Sequence, residues 1–232
     1  MKAIILAAGK GERLKDTASG IPKPMIRFKG KPILEHNIDL CRQFAVTELF
    51  INTHHLPGVI QNYFGDGAGF GVKIRYSFET TLLGTAGAVK NFQDPLGSDP
   101  FFVIYGDNYS NYDLRLLQQE YRDRKAMAII GFHWREDTAA SGVAEFFDDG
   151  RIARFIEKPK VGESESHWVN AGVYFLNPGI MAFIPTGVSD FANDIFPRLL
   201  AAGEAMYGVC AKADVIAFDT PDMFKQSMNL NK

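Results

Sequence analysis

Apolar residues fall in short continuous runs through the first half of the chain and alternate with polar ones through much of the second. The run at 2–7 ends in Gly9 and has the form of a strand buried on both faces of a parallel sheet. Residues 32–44 carry Ile33, Leu34, Ile38, Leu40 and Cys41 at helix spacing. Strands are predicted at 48–53 and 72–78, with a short helix at 59–64 closed by Gly65-Asp66-Gly67. A small-residue helix follows at 84–92. The run FFVIY at 101–105 is another buried strand, stopped by Gly106-Asp107. An amphipathic helix at 112–125 precedes a strand at 126–132.

Strands that alternate with helices over the first 132 residues predict an α/β fold, doubly wound, with a mostly parallel central sheet. The pattern then changes. Strands at 142–147, 151–156 and 168–176 are separated by turns, Asp148-Asp149-Gly150 among them. They predict a small antiparallel insertion. A helix at 190–202, strands at 206–210 and 215–218, and a helix after Thr220-Pro221 complete the reading. With no repeat, low-complexity tract or linker, residues 1–232 read as one domain.

Composition narrows the function. The 232 residues are 46% hydrophobic and 22% charged, which excludes wholesale disorder. Net charge is −2, which argues against a polybasic nucleic-acid binder. Residues 1–31, however, hold eight basic and two acidic side chains, so this segment carries +6 and the remainder −8. Such a segment suits a small anionic ligand. Two distant cysteines, Cys41 and Cys210, form neither a disulfide framework nor a metal cluster. The uncharged tract 166–189 is interrupted by Asn170, Asn177-Pro178-Gly179 and Pro185, which favours strand, turn and short helix over a membrane span. The apolar run after Lys2 is too short for a signal-peptide core. A soluble, cytoplasmic protein is expected, with its oligomeric state open, a homo-oligomer included.

The most informative stretch is LAAGKGERL at 6–14. Gly9 and Gly11 let the backbone turn and present N–H groups to an anion where the first strand ends, the edge at which α/β sheets place ligands. A dinucleotide fingerprint would need glycine at Leu14, and no Gly-Lys-Ser/Thr of a Walker loop is present. Arg13, and then Lys23 between Pro22 and Pro24, add a guanidinium fork and a fixed ammonium. Together they read as a cradle for a polyphosphate; a solvated loop lysine is the bland alternative for Lys23.

The stretch from Leu6 to Pro24, LAAGKGERL…PKP, resembles the signature of the sugar-1-phosphate nucleotidyltransferases, and five further stretches match in order. Leu83-Gly84-Thr85-Ala86-Gly87-Ala88 resembles the nucleobase loop. Tyr105-Gly106-Asp107-Asn108 resembles the metal-binding Gly-Asp motif that follows a buried strand. Glu157-Lys158-Pro159 and Asn170-Ala171-Gly172-Val173-Tyr174 resemble the sugar-phosphate and sugar segments, and Phe218-Asp219-Thr220 the second metal aspartate. Two positions depart from the common pattern: Glu12 stands where threonine is usual, and Ser141-Gly142 where many relatives have Tyr-Gly.

The resemblance implies a Rossmann-like nucleotidyltransferase fold. It implies a nucleotide-binding part at 1–132 and a mainly sugar-phosphate-binding part at 133–232. The implied reaction joins a nucleoside triphosphate to a sugar 1-phosphate and releases pyrophosphate, with no nucleic-acid or membrane partner. Arg13, Lys23 and Asp107 would be catalytic. Leu6, Ala8, Gly9, Gly11, Glu79, Gly84 and Thr85 would bind the nucleotide. Gly142, Glu157, Lys158 and Asn170 would bind the sugar phosphate, and Asp107 and Asp219 would hold Mg²⁺, a hard cation that takes few protein ligands. Both aspartates follow strands, although a turn role for Asp107 and a helix cap for Asp219 are the structural alternatives. Glu79 is read either as an acceptor for guanine N1 and N2 or as a solvated strand-end glutamate. Guanylyl transfer to mannose or heptose 1-phosphate is the main reading, with uridylyl or thymidylyl transfer as the alternative. A catalytically silent sugar-nucleotide sensor and a glycosyltransferase represent other classes; the latter usually wants Asp-x-Asp, and here Asp107 is followed by Asn108 and Tyr109. His54-His55 on extended chain would diverge and are not read as a metal pair.

Overall fold

The computed structural model describes residues 1–9 and 21–218. The chain opens with β1 (Lys2–Leu6), a short ribbon of β2 (Arg27–Phe28) and β3 (Lys31–Pro32), and helix α1 (Ile33–Gln43). Next come β4 (Glu48–Thr53), α2 (Pro57–Phe64), β5 (Lys73–Phe78), α3 (Gly84–Lys90) and α4 (Gln93–Leu96). Strands β6 (Phe101–Tyr105) and β7 (Asn108–Ser110) lead to α5 (Leu114–Arg124). Then follow β8 (Ala128–Trp134), β9 (Gly142–Phe146), β10 (Ile152–Glu157) and β11 (Trp168–Leu176). A π turn at Phe191–Ile195 runs into α6 (Phe196–Ala201), and β12 (Met206–Cys210) and β13 (Val215–Ala217) close the described chain.

Two compact units are present. The first comprises Met1–Leu82, Ile104–Asn111 and the chain from Asp214; the second comprises Leu83–Val103 and Tyr112–Ala213. In the first unit β4 lies between β1 and β5, all parallel, with Leu6 opposite Asn52 and Asn52 opposite Ser77. Ile4, Ile5, Phe50 and Ile51 are wholly buried. Runs without alternation are what a strand covered on both faces requires. Helix α1 buries Ile33, Leu34, Ile38, Leu40 and Cys41, and burial pushes the Cys41 thiol up to about 12, as suits a core thiol.

In the second unit β11 runs antiparallel to β8 and β9, β9 antiparallel to β10, and β12 parallel to β8. The expected α/β fold is therefore present: a mixed sheet with mostly parallel strands, flanked by helices. The hairpin turn falls where Gly150 predicts it, with φ of 82° and its N–H donating to Phe147 O at 3.0 Å. Three short strands, β2, β3 and β7, lie outside the sequence prediction; each is too brief to show a period. The helix expected at 190–202 starts as a π turn. Asp190 caps it by accepting from Ala192 and Asn193 N–H, and Phe196 N–H donates five residues back to Phe191 O. Pro197 has no N–H to give to Asn193, so the ladder changes just before it.

His133 on β8 is 6% exposed. Burial, with Arg135 adding to it, lowers its imidazole from 6.5 to about 4. The unfolded chain then takes up a proton before the folded one does. Stability is complete above about pH 6.5 and is expected to fall as pH drops towards 4, by roughly 3 kcal/mol from this group. Urea unfolding at several pH values should show that slope in the wild type and a flatter one in His133→Gln. Parallel slopes would exclude His133 as the source.

Candidate functional site

Residues that follow β1, β4 and β5 share one edge of the first unit, because those strands are parallel and in register. That edge carries Ala7 to Gly9, His54 and Glu79. The end of β6 joins them: Gly106 N–H donates to Leu6 O at 2.9 Å, which sets Asp107 just past the end of β1. Lys23 Nζ donates to Asp107 Oδ2 at 3.1 Å, with side chains 10% and 29% exposed. Lys23 is therefore a mostly buried, paired cation and not a solvated loop lysine. Its backbone is fixed by a 3₁₀ turn over Lys23–Met25, with Pro22 and Pro24 on either side and Ile26 N–H donating to Lys23 O at 3.0 Å.

The turn that bears Asp107 is held from behind. Asn37 is wholly buried on α1, and its Nδ2 donates to Asn108 O at 3.1 Å and to Tyr105 O at 3.5 Å. These two carbonyls flank Gly106-Asp107. Strand β7 then pairs antiparallel with β13, Asn108 opposite Ala217. Phe218 is wholly buried, its ring 5.5 Å from that of Phe28.

Asn52 connects the other residues of the edge. Its Oδ1 accepts from Ala7 N–H at 2.7 Å and its Nδ2 donates to Glu79 Oε1 at 2.8 Å. Glu79 is 3% exposed, so the solvated strand-end alternative is removed. Its backbone carbonyl contacts His54 Nδ1 at 2.7 Å. Ala8 is buried, and a side chain at Gly9 would meet nothing within 4 Å among the described residues.

The second unit holds the remaining predicted residues in two places. Gly84 has φ of 73°, and a Cβ there would collide with Ser189 O. The Ala86 and Gly87 N–H groups donate to that same carbonyl at 3.0 and 3.1 Å. Thr85 Oγ1 donates to Asp190 Oδ2 at 2.7 Å and accepts from Phe191 N–H at 2.9 Å. Elsewhere, a Cβ on Gly142 would stand 2.7 Å from Glu157 Oε2 and 2.7 Å from Phe155 Cζ, so a side chain there would displace the carboxylate and the ring from these positions. Burial raises the Glu157 carboxyl, Lys158 opposes the rise, and Asp190 adds to it. Lys158 adopts φ of 51°, with its side chain 60% exposed and its Nζ 3.9 Å from Glu157 Oε1. Asn170 donates to Tyr174 OH at 2.8 Å and accepts from Gly172 N–H at 2.9 Å.

Gly11, Arg13 and Asp219 lie outside the described residues. Among the described residues no group of three or more His, Cys, Asp or Glu could hold a metal ion. The donor chemistry at Asp107 still fits a hard cation, since its carboxylate already draws an ammonium and is part open to solvent.

The nucleotidyl transferase family model matches residues 2–215. The chain belongs to this family. A Synechocystis UTP–glucose-1-phosphate uridylyltransferase is 38% identical over 223 residues, covering 90% of this chain and 58% of that protein. The mannose-1-phosphate guanylyltransferase of Mycobacterium tuberculosis is 30% identical, covering 96% of this chain and 62% of its own length. The chain thus spans about three-fifths of the length of these curated relatives. A Bacillus anthracis protein crystallised with sucrose, provisionally named a glucose-1-phosphate thymidylyltransferase, superposes with a TM-score of 0.89 at 26% identity. It covers 100% of this chain and 95% of its own. Against this family, Lys23 and Asp107 are the predicted site residues brought into direct contact in the first unit.

Three site residues escaped sequence reasoning: Asn37, Asn52 and Asp190. Two carried a signal. Asn37 falls among the apolar positions of α1, and Asn52 interrupts an apolar strand. A polar side chain at a core position must have a partner, and that partner is often functional. Asn52→Ala would leave the Ala7 N–H and the Glu79 carboxylate short of a buried partner. We expect a loss of about 2–4 kcal/mol in urea unfolding. A loss below about 0.5 kcal/mol would show that water replaces the amide without penalty.

Proposed function

We propose that this chain is a sugar-1-phosphate nucleotidyltransferase that makes a nucleoside-diphosphate sugar and pyrophosphate. The carrying observation is the Lys23–Asp107 pair at the edge where the glycine loop begins. A phosphate oxygen of the sugar 1-phosphate attacks the α-phosphorus of the triphosphate. The bond from the α-phosphorus to the oxygen bridging to the β-phosphate breaks, and pyrophosphate leaves with that electron pair. No protein nucleophile is required, so the work is positioning and charge neutralisation.

Asp107 and Asp219 would hold Mg²⁺. The antiparallel register of β7 and β13 supports this, because Asp107 directly precedes one strand and Asp219 stands two positions after the end of the other. When bound, the ion supplies Lewis-acid neutralisation of the phosphates. Arg13 and the Gly9 and Gly11 amides would hold the leaving pyrophosphate, and Lys23 would balance charge on the transferring phosphate. Lys158 would take the sugar 1-phosphate, and Glu157 and Asn170 would accept from and donate to sugar hydroxyls around the Gly142 backbone.

Guanylyl transfer to mannose or heptose 1-phosphate is our main reading. The guanylyltransferase relative, and a buried carboxylate at Glu79 that guanine N1 and N2 could donate to, support it. The 38% identity to a uridylyltransferase supports uridylyl transfer to glucose 1-phosphate as the second reading. A matrix of four triphosphates against a panel of sugar 1-phosphates, read by pyrophosphate release, decides between them. Asp107→Asn should lower kcat by at least about 100-fold with the fold intact by circular dichroism. Near-normal turnover in that variant would remove Asp107 from the metal site, and no release from any pair would favour a silent binding protein.

A further inference from the structure

The contact between Lys23 and Asp107 has a direction to it. The lysine side chain is 10% exposed and the aspartate 29%, so the ammonium has left most of its water while the carboxylate can still be reached from solvent. Prolines fix the lysine backbone, whereas the ammonium stands at the end of a four-carbon stem whose bonds can rotate. Asn37 clamps the carbonyls on both sides of Gly106-Asp107, so that turn is the stationary partner. A second cation at the same carboxylate oxygen would stand a few ångströms from the ammonium and be repelled by it.

We propose that Lys23 occupies the cation position at Asp107 in the ligand-free protein, so that this carboxylate opens to a divalent ion only when a triphosphate draws the ammonium away. The inference rests on the reading of Asp107 as a metal ligand. It makes metal and nucleotide binding strongly cooperative, with the lysine as the coupling element. By linkage, the factor by which nucleotide tightens metal equals the factor by which metal tightens nucleotide. The negative oxygens of the triphosphate give the ammonium a new partner, so no bare charge is left buried at either stage.

Mn²⁺ serves as the probe, with free hexaaqua ion read by electron paramagnetic resonance, with and without non-hydrolysable GTP and UTP analogues. In the wild type, Mn²⁺ alone should bind weakly and nucleotide should tighten it. Lys23→Met should bind Mn²⁺ alone on the order of tenfold more tightly, as removal of a charged hydrogen-bond competitor predicts, and nucleotide should then add less. Lys23→Gln repeats the test if the methionine variant does not fold. Unchanged or weaker Mn²⁺ binding in the lysine variants, with nucleotide-dependent binding still abolished by Asp107→Asn, overturns the proposal and leaves the metal assignment standing. Nucleotide-dependent binding that survives Asp107→Asn overturns both.

Discussion

A buried primary amide has to satisfy a donor and an acceptor at once, and Asn52 does so across three strand ends. Its oxygen holds the first backbone N–H after β1 and its nitrogen holds the carboxylate that follows β5. Both bonds offset part of the cost of burying the Ala7 N–H and the Glu79 carboxylate, since a polar group in an apolar sheet loses its water. The start of the glycine loop and the candidate base-recognition carboxylate are therefore one polar unit set into an apolar sheet. Shifts at one end are felt at the other through two hydrogen bonds.

The same economy appears at Asp107. Its position follows from strand β6, which brings Gly106 against Leu6, and from α1, whose Asn37 fastens the turn. Its charge is answered by a lysine from a proline-bracketed turn. Fold and chemistry here are not separable layers. The apolar residues of β1 and α1 hold a few polar atoms at fixed separations, and rigid presentation is what the proposed reaction, which uses no protein nucleophile, needs.

Much of this was legible in the chain itself. The apolar runs at 2–7, 48–53 and 101–105 became β1, β4 and β6, because strands covered on both faces have no polar side to mark. Gly150 announced its turn through a backbone angle that few other residues adopt. What escaped were features fixed by long-range partners. Strands β2, β3 and β7 are two or three residues long and exist only because something pairs with them. The π turn before α6 depends on Pro197 together with the Asp190 cap. Glu79 gave no hint of burial, since a side chain that bonds to its carboxylate, Asn52, lies 27 positions away. Local pattern records what a segment prefers; it does not record which distant side chain will meet it.

The Ser189 carbonyl changes the electrostatic character of the start of α3. The amides of Ala86 and Gly87, which would otherwise project from the helix start as an electropositive tip, are already capped by it. That tip is muted by the protein's own backbone, so the segment is poorly suited to attracting anions. A ligand that met this segment would have to be recognised by shape and by neutral contacts, because the helix start has no free amide charge to offer at those two positions.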